Sequence, residues 1–200
     1  MTLGARPYGE RAVLVDVPAG RAPVAVAHLL DDVAGVVEVV PAARTLLVEF
    51  EPDIITWESV AAALDGEPPP ESTAARLVTL VVRYDGADLD GVADVADISV
   101  QEVVRRHAAA EYTVAFCGFA PGFAYLTGLD PVLQVPRLGE PRAAVPAGSV
   151  GIAAEFTGVY PRRSPGGWRL LGRTDTALWD VERDPPALLA PGTPVRFVPR

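Results

Sequence analysis

Lysine is absent from this 200-residue chain, and all seventeen of its basic residues are arginine. The chain therefore forms no Schiff base through a lysine amine, carries no lysine-linked biotin and supplies no P-loop lysine to a nucleotide. Cysteine is nearly absent too: Cys117 stands alone, so no internal disulfide forms, which suits a reducing compartment. The histidines are only two, His28 and His107, and with one thiol they make no paired ligand spacing, so metal binding is not expected. No apolar run approaches the roughly 18 residues of a membrane span, and the opening MTLGARPYGERAVLVDV has no apolar stretch leading to a secretory cleavage site. A cytoplasmic protein that contacts no membrane is the expectation.

What is present is unevenly placed. The net charge of −9 argues against a general nucleic-acid binder, which needs a basic surface to neutralise phosphates. Between Arg137 and Arg173, however, six arginines face only Glu140 and Glu155, so that stretch is locally +4 and the remainder −13. A basic patch on an acidic chain suits an anionic small ligand or an acidic partner, or else is a solvated loop with scattered charges.

The first part of the chain alternates cleanly. Arg11 to Val17 reads as a strand, Pro23 to Leu30 as a short helix, and Val36 to Val40 and Thr45 to Phe50 as a hairpin around Pro41–Arg44. Thr56 caps a second helix through Leu64, and two helices on one face of a small antiparallel sheet result. The acidic, triple-proline run DGEPPPES (65–72) marks a boundary, giving an α+β chain with domains 1–70 and 74–200. Beyond it, Arg76 to Arg83 reads as a strand buried on both faces, and Leu89, Val92, Ala93 and Ala96 recur at helical spacing. Ser99 with Glu102 opens a further helix. Glu111 to Cys117 reads as a strand with Tyr112, Val114 and Phe116 on one face. Short strands at Val150 to Phe156, Trp168 to Gly172 and Val195 to Val198, parted by Gly/Pro turns, predict a closed or nearly closed β-barrel.

The densest chemistry lies from Phe116 to Thr174, where glycines, aromatics and arginines interleave. Phe119, Pro121, Phe123, Tyr125, Tyr160 and Trp168 supply rigid apolar walls. Gly166 and Gly167 allow close backbone approach, and Arg137 and Arg173 offer planar forks for a carboxylate. Ser149, Thr157 and Ser164 supply hydroxyls. The bland alternative for any one aromatic is core packing. Cys117, in a strand beside Ala115 and Phe116, reads as a small buried hydrophobe rather than a nucleophile. Ser149 lacks the upstream glycine of a nucleophile elbow. His107 shares a helical face with Val100, Val103 and Val104, so it is a packed core histidine or supports the site from behind. No acid/base pair accompanies the constellation, and catalysis by this chain alone is not expected.

The ordered motifs GFAPGFAYL, PR with VPAGS, TGVYP, SPGGW, LLGRT and PGTPVRF, from about His107 to Arg196, resemble the family of 5-oxoprolinase B-type subunits, also described as KipI-type kinase inhibitors or allophanate hydrolase subunit 1. The resemblance implies a small α/β sandwich domain followed by a cyclophilin-like β-barrel. It also implies work with a C-type subunit, and a separate A-type subunit, in ATP-dependent opening of 5-oxoproline, a small anionic lactam, to L-glutamate. No cofactor is expected on this chain, with ATP used by the assembled complex. A regulatory protein docking on a sensor histidine kinase is the alternative from a different class, and a stand-alone prolyl isomerase a third. Where many relatives carry glutamine before the TG-[IV]-YP motif, this chain has Phe156.

Overall fold

Val13 and Val15 are fully buried while Asp16 faces solvent, the alternation of a strand with one wet face. This strand, β2 (Ala12–Asp16), belongs to an antiparallel sheet with β1 (Gly4–Pro7), β3 (Val36–Pro41) and β4 (Thr45–Phe50), in the order β1-β2-β4-β3. The structure is a computed structural model describing residues 4–68 and 76–200, and the chain divides into two compact units, Met1–Ala74 and Ala75–Arg200. The proline-rich run expected to link two domains lies, from Pro69 onward, outside the described residues.

In the first unit, helices α1 (Pro23–Ala27) and α2 (Trp57–Ala63) bury Val26 and Val60 against Val13, Val15, Leu46, Val48 and Phe50. Thr56 caps α2 by accepting from the Ser59 N–H at 3.3 Å. Two details differ from the sequence pattern. The single helix expected over 23–30 tightens into a 3₁₀ turn at His28–Leu30, and β1, a Gly–Pro segment without strand-forming residues, pairs with β2 through the backbone ladder and an Arg6–Asp16 ion pair.

The second unit is a mixed α/β structure dominated by a nearly closed barrel. It comprises β5 (Val78–Val82), α3 (Leu89–Ala96), α4 (Val100–Ala109), β6 (Tyr112–Cys117), β7 (Ala124–Thr127), β8 (Arg142–Val145), β9 (Ser149–Ala153), β10 (Phe156–Val159), β11 (Ser164–Gly166), β12 (Arg169–Arg173) and β13 (Pro194–Pro199). Seven strands run in the order β12-β9-β10-β7-β6-β13-β5, and β8 and β11 form a separate two-stranded ribbon. The edges meet where Arg83, just past β5, and Arg173 donate backbone N–H bonds to each other's carbonyls, both at 2.9 Å. The interior is filled by Leu80, Val82, Val103, Val114, Leu126, Ile152, Leu171 and Phe197.

Three expectations are corrected here. Strand β5 is buried on one face only, because Leu80 and Val82 point inward while Thr79 and Val81 are exposed. The run Val150 to Phe156 is not one strand but the arm of β9, a turn at Ala154 and Glu155, and the start of β10, with Ala154 at φ 49°. In β6 the register shifts between Val114 and Phe116, so Phe116 leaves the face of Tyr112 and Val114, and Cys117 packs on the barrel core instead.

Candidate functional site

Gly151 and Gly158 are paired across β9 and β10 and leave the outer barrel wall bare. A Cβ on Gly158 would meet the Ala124 carbonyl at 2.8 Å and the Trp168 ring at 3.1 Å; one on Gly151 would meet the Trp168 Cβ at 3.2 Å. The indole therefore lies on a two-glycine floor. Around it Phe123, Tyr160 and Leu170 are buried with Val145 and Ala153, a second core outside the barrel. Phe123 touches Trp168, Tyr160 and Tyr125 edge to face, with centroids 5.0–5.4 Å apart.

Two aromatics extend the cluster beyond the sequence expectation. The bulge in β6 stacks Phe116 on Tyr125 at 4.3 Å, and Phe156 meets both rings edge-on at 5.6 and 5.7 Å. Phe156 thus adds apolar surface to the cluster directly before the TGVYP motif. Burial raises the pKa values of Tyr125 and Tyr160, and the Arg137 guanidinium pulls both the other way, which places that cation beside the two phenols. Arg137 is exposed and has no hydrogen bond or ion pair among the described residues.

Phe119 breaks the pattern of burial. Its backbone sits at φ 69°, costly for a residue with a Cβ, and its ring is 58% exposed while touching Phe123 and Tyr160 edge-on. The neighbouring Gly122 lies against Trp179 and Pro161, so three loops meet here: Phe119–Gly122, Pro161–Arg163 and Leu178–Val181. Trp179 and Val181 are exposed at 40% and 75%, and Pro121, Arg162 and Arg163 also face solvent. Trp179 and Val181 gave no motif signal in sequence; only their position beside the Phe119 loop brings them in.

The remaining candidates separate. Ser149 is buried in β9, its carbonyl accepting from the Tyr160 N–H. The Ser164 hydroxyl donates to the Arg162 carbonyl in β11, while Gly167 accepts from the Leu138 N–H and Gly166 packs against the Tyr160 hydroxyl. Thr157 does not face the aromatic surface. It points into the barrel, fully buried, donating to the Gly151 carbonyl at 3.1 Å and thus accepting from His107 Nε2 at 3.0 Å. His107 Nδ1 in turn accepts from the Tyr84 hydroxyl at 2.8 Å. Burial lowers the His107 pKa to about 3, so the ring is neutral with both nitrogens engaged. It is a core histidine that braces β10 from inside.

Two arginines of the basic stretch are spent structurally. Arg142 bonds Asp88 at 2.7 Å, and the other Asp88 oxygen accepts from the Leu170 N–H at 2.7 Å, tying β8 to the barrel. Arg169 Nε donates to the Pro136 carbonyl. Arg173 stands away from the rings, paired with Asp85 at 2.9 Å and lining a separate cavity at the barrel seam. Arg137 and Arg173, read together from the sequence as forks for a carboxylate, are therefore separated: an aromatic face flanked by Arg137, Arg162 and Arg163 is one feature, and the seam cavity of Arg173 another. The Cys117 thiol, its pKa raised by burial, donates to the Leu189 carbonyl and takes no part in either. Among the described residues no three His, Cys, Asp or Glu side chains gather to hold a metal, and no helix is long and apolar enough to cross a membrane.

The family described as carboxyltransferase domain, subdomain C and D, matches residues 3–189. The 5-oxoprolinase B subunit of Escherichia coli O157:H7 is 43% identical over 187 residues, covering 87% of this chain and 83% of that protein. The protein of the same name from Bacillus subtilis is 46% identical over 126 residues, 62% of this chain and 52% of its own length. Among solved structures, TTHA0988 superposes with a TM-score of 0.82 at 36% identity, covering 95% of this chain but only 40% of that one. The Kluyveromyces lactis urea carboxylase shares the fold, at TM-score 0.77 and 23% identity over 99% of this chain and 22% of that protein. The chain thus belongs to the carboxyltransferase C and D family and, within it, to the family of 5-oxoprolinase B-type subunits.

Proposed function

We propose that this chain is the B-type subunit of an ATP-dependent 5-oxoprolinase, inactive alone, whose aromatic face becomes part of the active site once a C-type subunit covers it. The observation that carries this is the 43% identity to the E. coli 5-oxoprolinase B subunit across 187 residues. The same family membership supports reading the barrel as cyclophilin-like and the first unit as a small α/β sandwich.

The chemistry of the face agrees with a binding role. Its polar groups are phenols, guanidinium groups with no partner among the described residues, and backbone amides, while Glu155 is exposed in the β9–β10 turn, the Asp180 carboxylate accepts from the Glu182 N–H, and His107 is neutral inside the barrel. Arg137 would take the 5-oxoproline carboxylate, and the rings would wall the lactam. The separate A-type and C-type subunits would supply the nucleotide site. One of them transfers the γ-phosphoryl group of ATP to the lactam oxygen, releasing ADP. The interface between this chain and the C-type subunit then shields the phosphorylated species while one water cleaves the ring C–N bond to give γ-glutamyl phosphate and a second hydrolyses that to L-glutamate and phosphate.

Reconstitution tests this directly. The chain mixed with its A-type and C-type partners is expected to release glutamate in step with ATP consumption, and to release none by itself. Turnover by the isolated chain, or none from the complete mixture, would sink the assignment.

A further inference from the structure

Arg83 and Arg173 form a directly opposed, hydrogen-bonded pair at the barrel seam, which sets both side chains on the same face of the sheet. Val82 points into the core and Arg83 away from it, so that face is the outer one. Like charges directly opposite each other repel, and an antiparallel pair normally avoids them. Here they border a cavity of about 400 Å³ lined also by Val81, Thr174, Thr176 and Arg200, with Asp175 as the sole carboxylate of the lining.

The existing counter-charges do not resolve the pair. Asp85 reaches Arg173 at 2.9 Å and Asp175 reaches Arg200 at 3.5 Å, both between well-exposed side chains where solvent screens the attraction. Arg83 has neither an ion pair nor a side-chain hydrogen bond among the described residues. In the segment that follows Arg173, the Thr174 hydroxyl donates to Thr176 Oγ1 at 3.2 Å, so the Thr176 hydroxyl hydrogen remains free to donate. Two guanidinium forks from opposed residues, with a hydroxyl donor in the same lining, match the tetrahedral oxygens of a phosphate group.

We infer that the seam cavity is an oxyanion site for a phosphate-sized group, either inorganic phosphate or the phosphoryl end of a nucleotide, clamped between Arg83 and Arg173. The site lies apart from the aromatic face and stands independently of the 5-oxoprolinase assignment.

The test is calorimetric titration of the purified full chain at low ionic strength with inorganic phosphate, with ADP, and with sodium chloride at matched ionic strength. Saturable binding of phosphate or ADP, absent with chloride, is expected; tighter binding of ADP identifies the nucleotide as the source, and equal or tighter binding of phosphate identifies the free ion. Arg83→Gln and Arg173→Gln are each expected to weaken that binding at least ten-fold, and Arg83→Gln to melt no lower than the parent in the absence of anion, because it removes the opposed charge. No saturable binding, an equal response to chloride, or unchanged affinity in both variants would overturn the site. So would a lower melting point for Arg83→Gln without anion, since that would show the side chain already satisfied.

Discussion

Gly158 lies directly opposite Gly151, and the Trp168 indole occupies the space their side chains would have filled. The outer aromatic core exists because this one pair is bare. Gly158→Ala drives a methyl to 2.8 Å from a carbonyl oxygen and 3.1 Å from the indole, neither of which is the free end of a flexible chain. A loss of about 1–3 kcal/mol is expected, as for overpacking elsewhere, and urea unfolding measures it. Gly151→Ala, whose nearest contact is at 3.2 Å, costs less.

Phe119 separates stability from assembly. Its left-handed backbone favours glycine, so Phe119→Gly is expected to stabilise the isolated chain, by up to about 1 kcal/mol. The exposed ring is lost at the same time, and binding to the proposed C-type partner is expected to weaken at least ten-fold. Thermal melting and a binding titration on the same preparation decide the matter. A variant that binds normally would remove the loop from the interface.

His107 gives the second unit a pH signature. Its folded pKa, near 3, lies below the ordinary value of 6.5, so between those values the unfolded chain binds a proton that the folded chain excludes. Stability from this group is complete above about pH 6.5 and declines as pH falls toward 3. About 2 kcal/mol is expected to be lost between pH 7 and pH 5. Glu102, held near 2 chiefly by its hydrogen bond from Arg105, acts in the same sense but only below its ordinary 4.5, outside that interval. Denaturant unfolding of His107→Gln should show a flatter profile from pH 7 to pH 5, at a lower overall stability.

Asp88 and Arg142 form a pair whose halves are unequal. Removing the Asp88 carboxylate strands both the Arg142 guanidinium and the Leu170 N–H, whereas removing Arg142 leaves Asp88 one partner. Asp88→Ala is expected to cost about 3 kcal/mol and Arg142→Ala roughly half of that, with the double variant less damaging than their sum. Chemical denaturation of all three proteins checks the ordering. Equal single costs would mean that the Leu170 bond contributes nothing.

The elements that could be read from sequence are those written in local chemistry. Thr56 and Ser99 announce their helices because a cap is a contact over three residues, and both hydroxyls accept the expected N–H. The β9–β10 turn escaped because Ala154 takes a left-handed conformation without the glycine or asparagine that usually signals one. The ribbon of β8 and β11 escaped because its strands are three and four residues long and one contains a proline. At the site, the aromatic motifs mark the stretch of chain that builds the face, but a motif carries no direction. Thr157 and Gly158 are adjacent, yet one turns into the barrel toward His107 and the other lies beneath the indole. Arg173 sits on the same strand as the buried Leu170, yet its side chain belongs to the seam. Both distinctions depend on which strands become neighbours.

The barrel also imposes an order on its own synthesis. Val78 of β5 pairs with Val195 of β13, 117 positions later. At about 5–20 residues per second the ribosome needs on the order of ten seconds to cover that distance, and throughout it the apolar edge of Leu80 and Val82 lacks its neighbour. The second unit therefore closes only once β13 has been made, and any crowding or chaperone shortage acts on it in that interval.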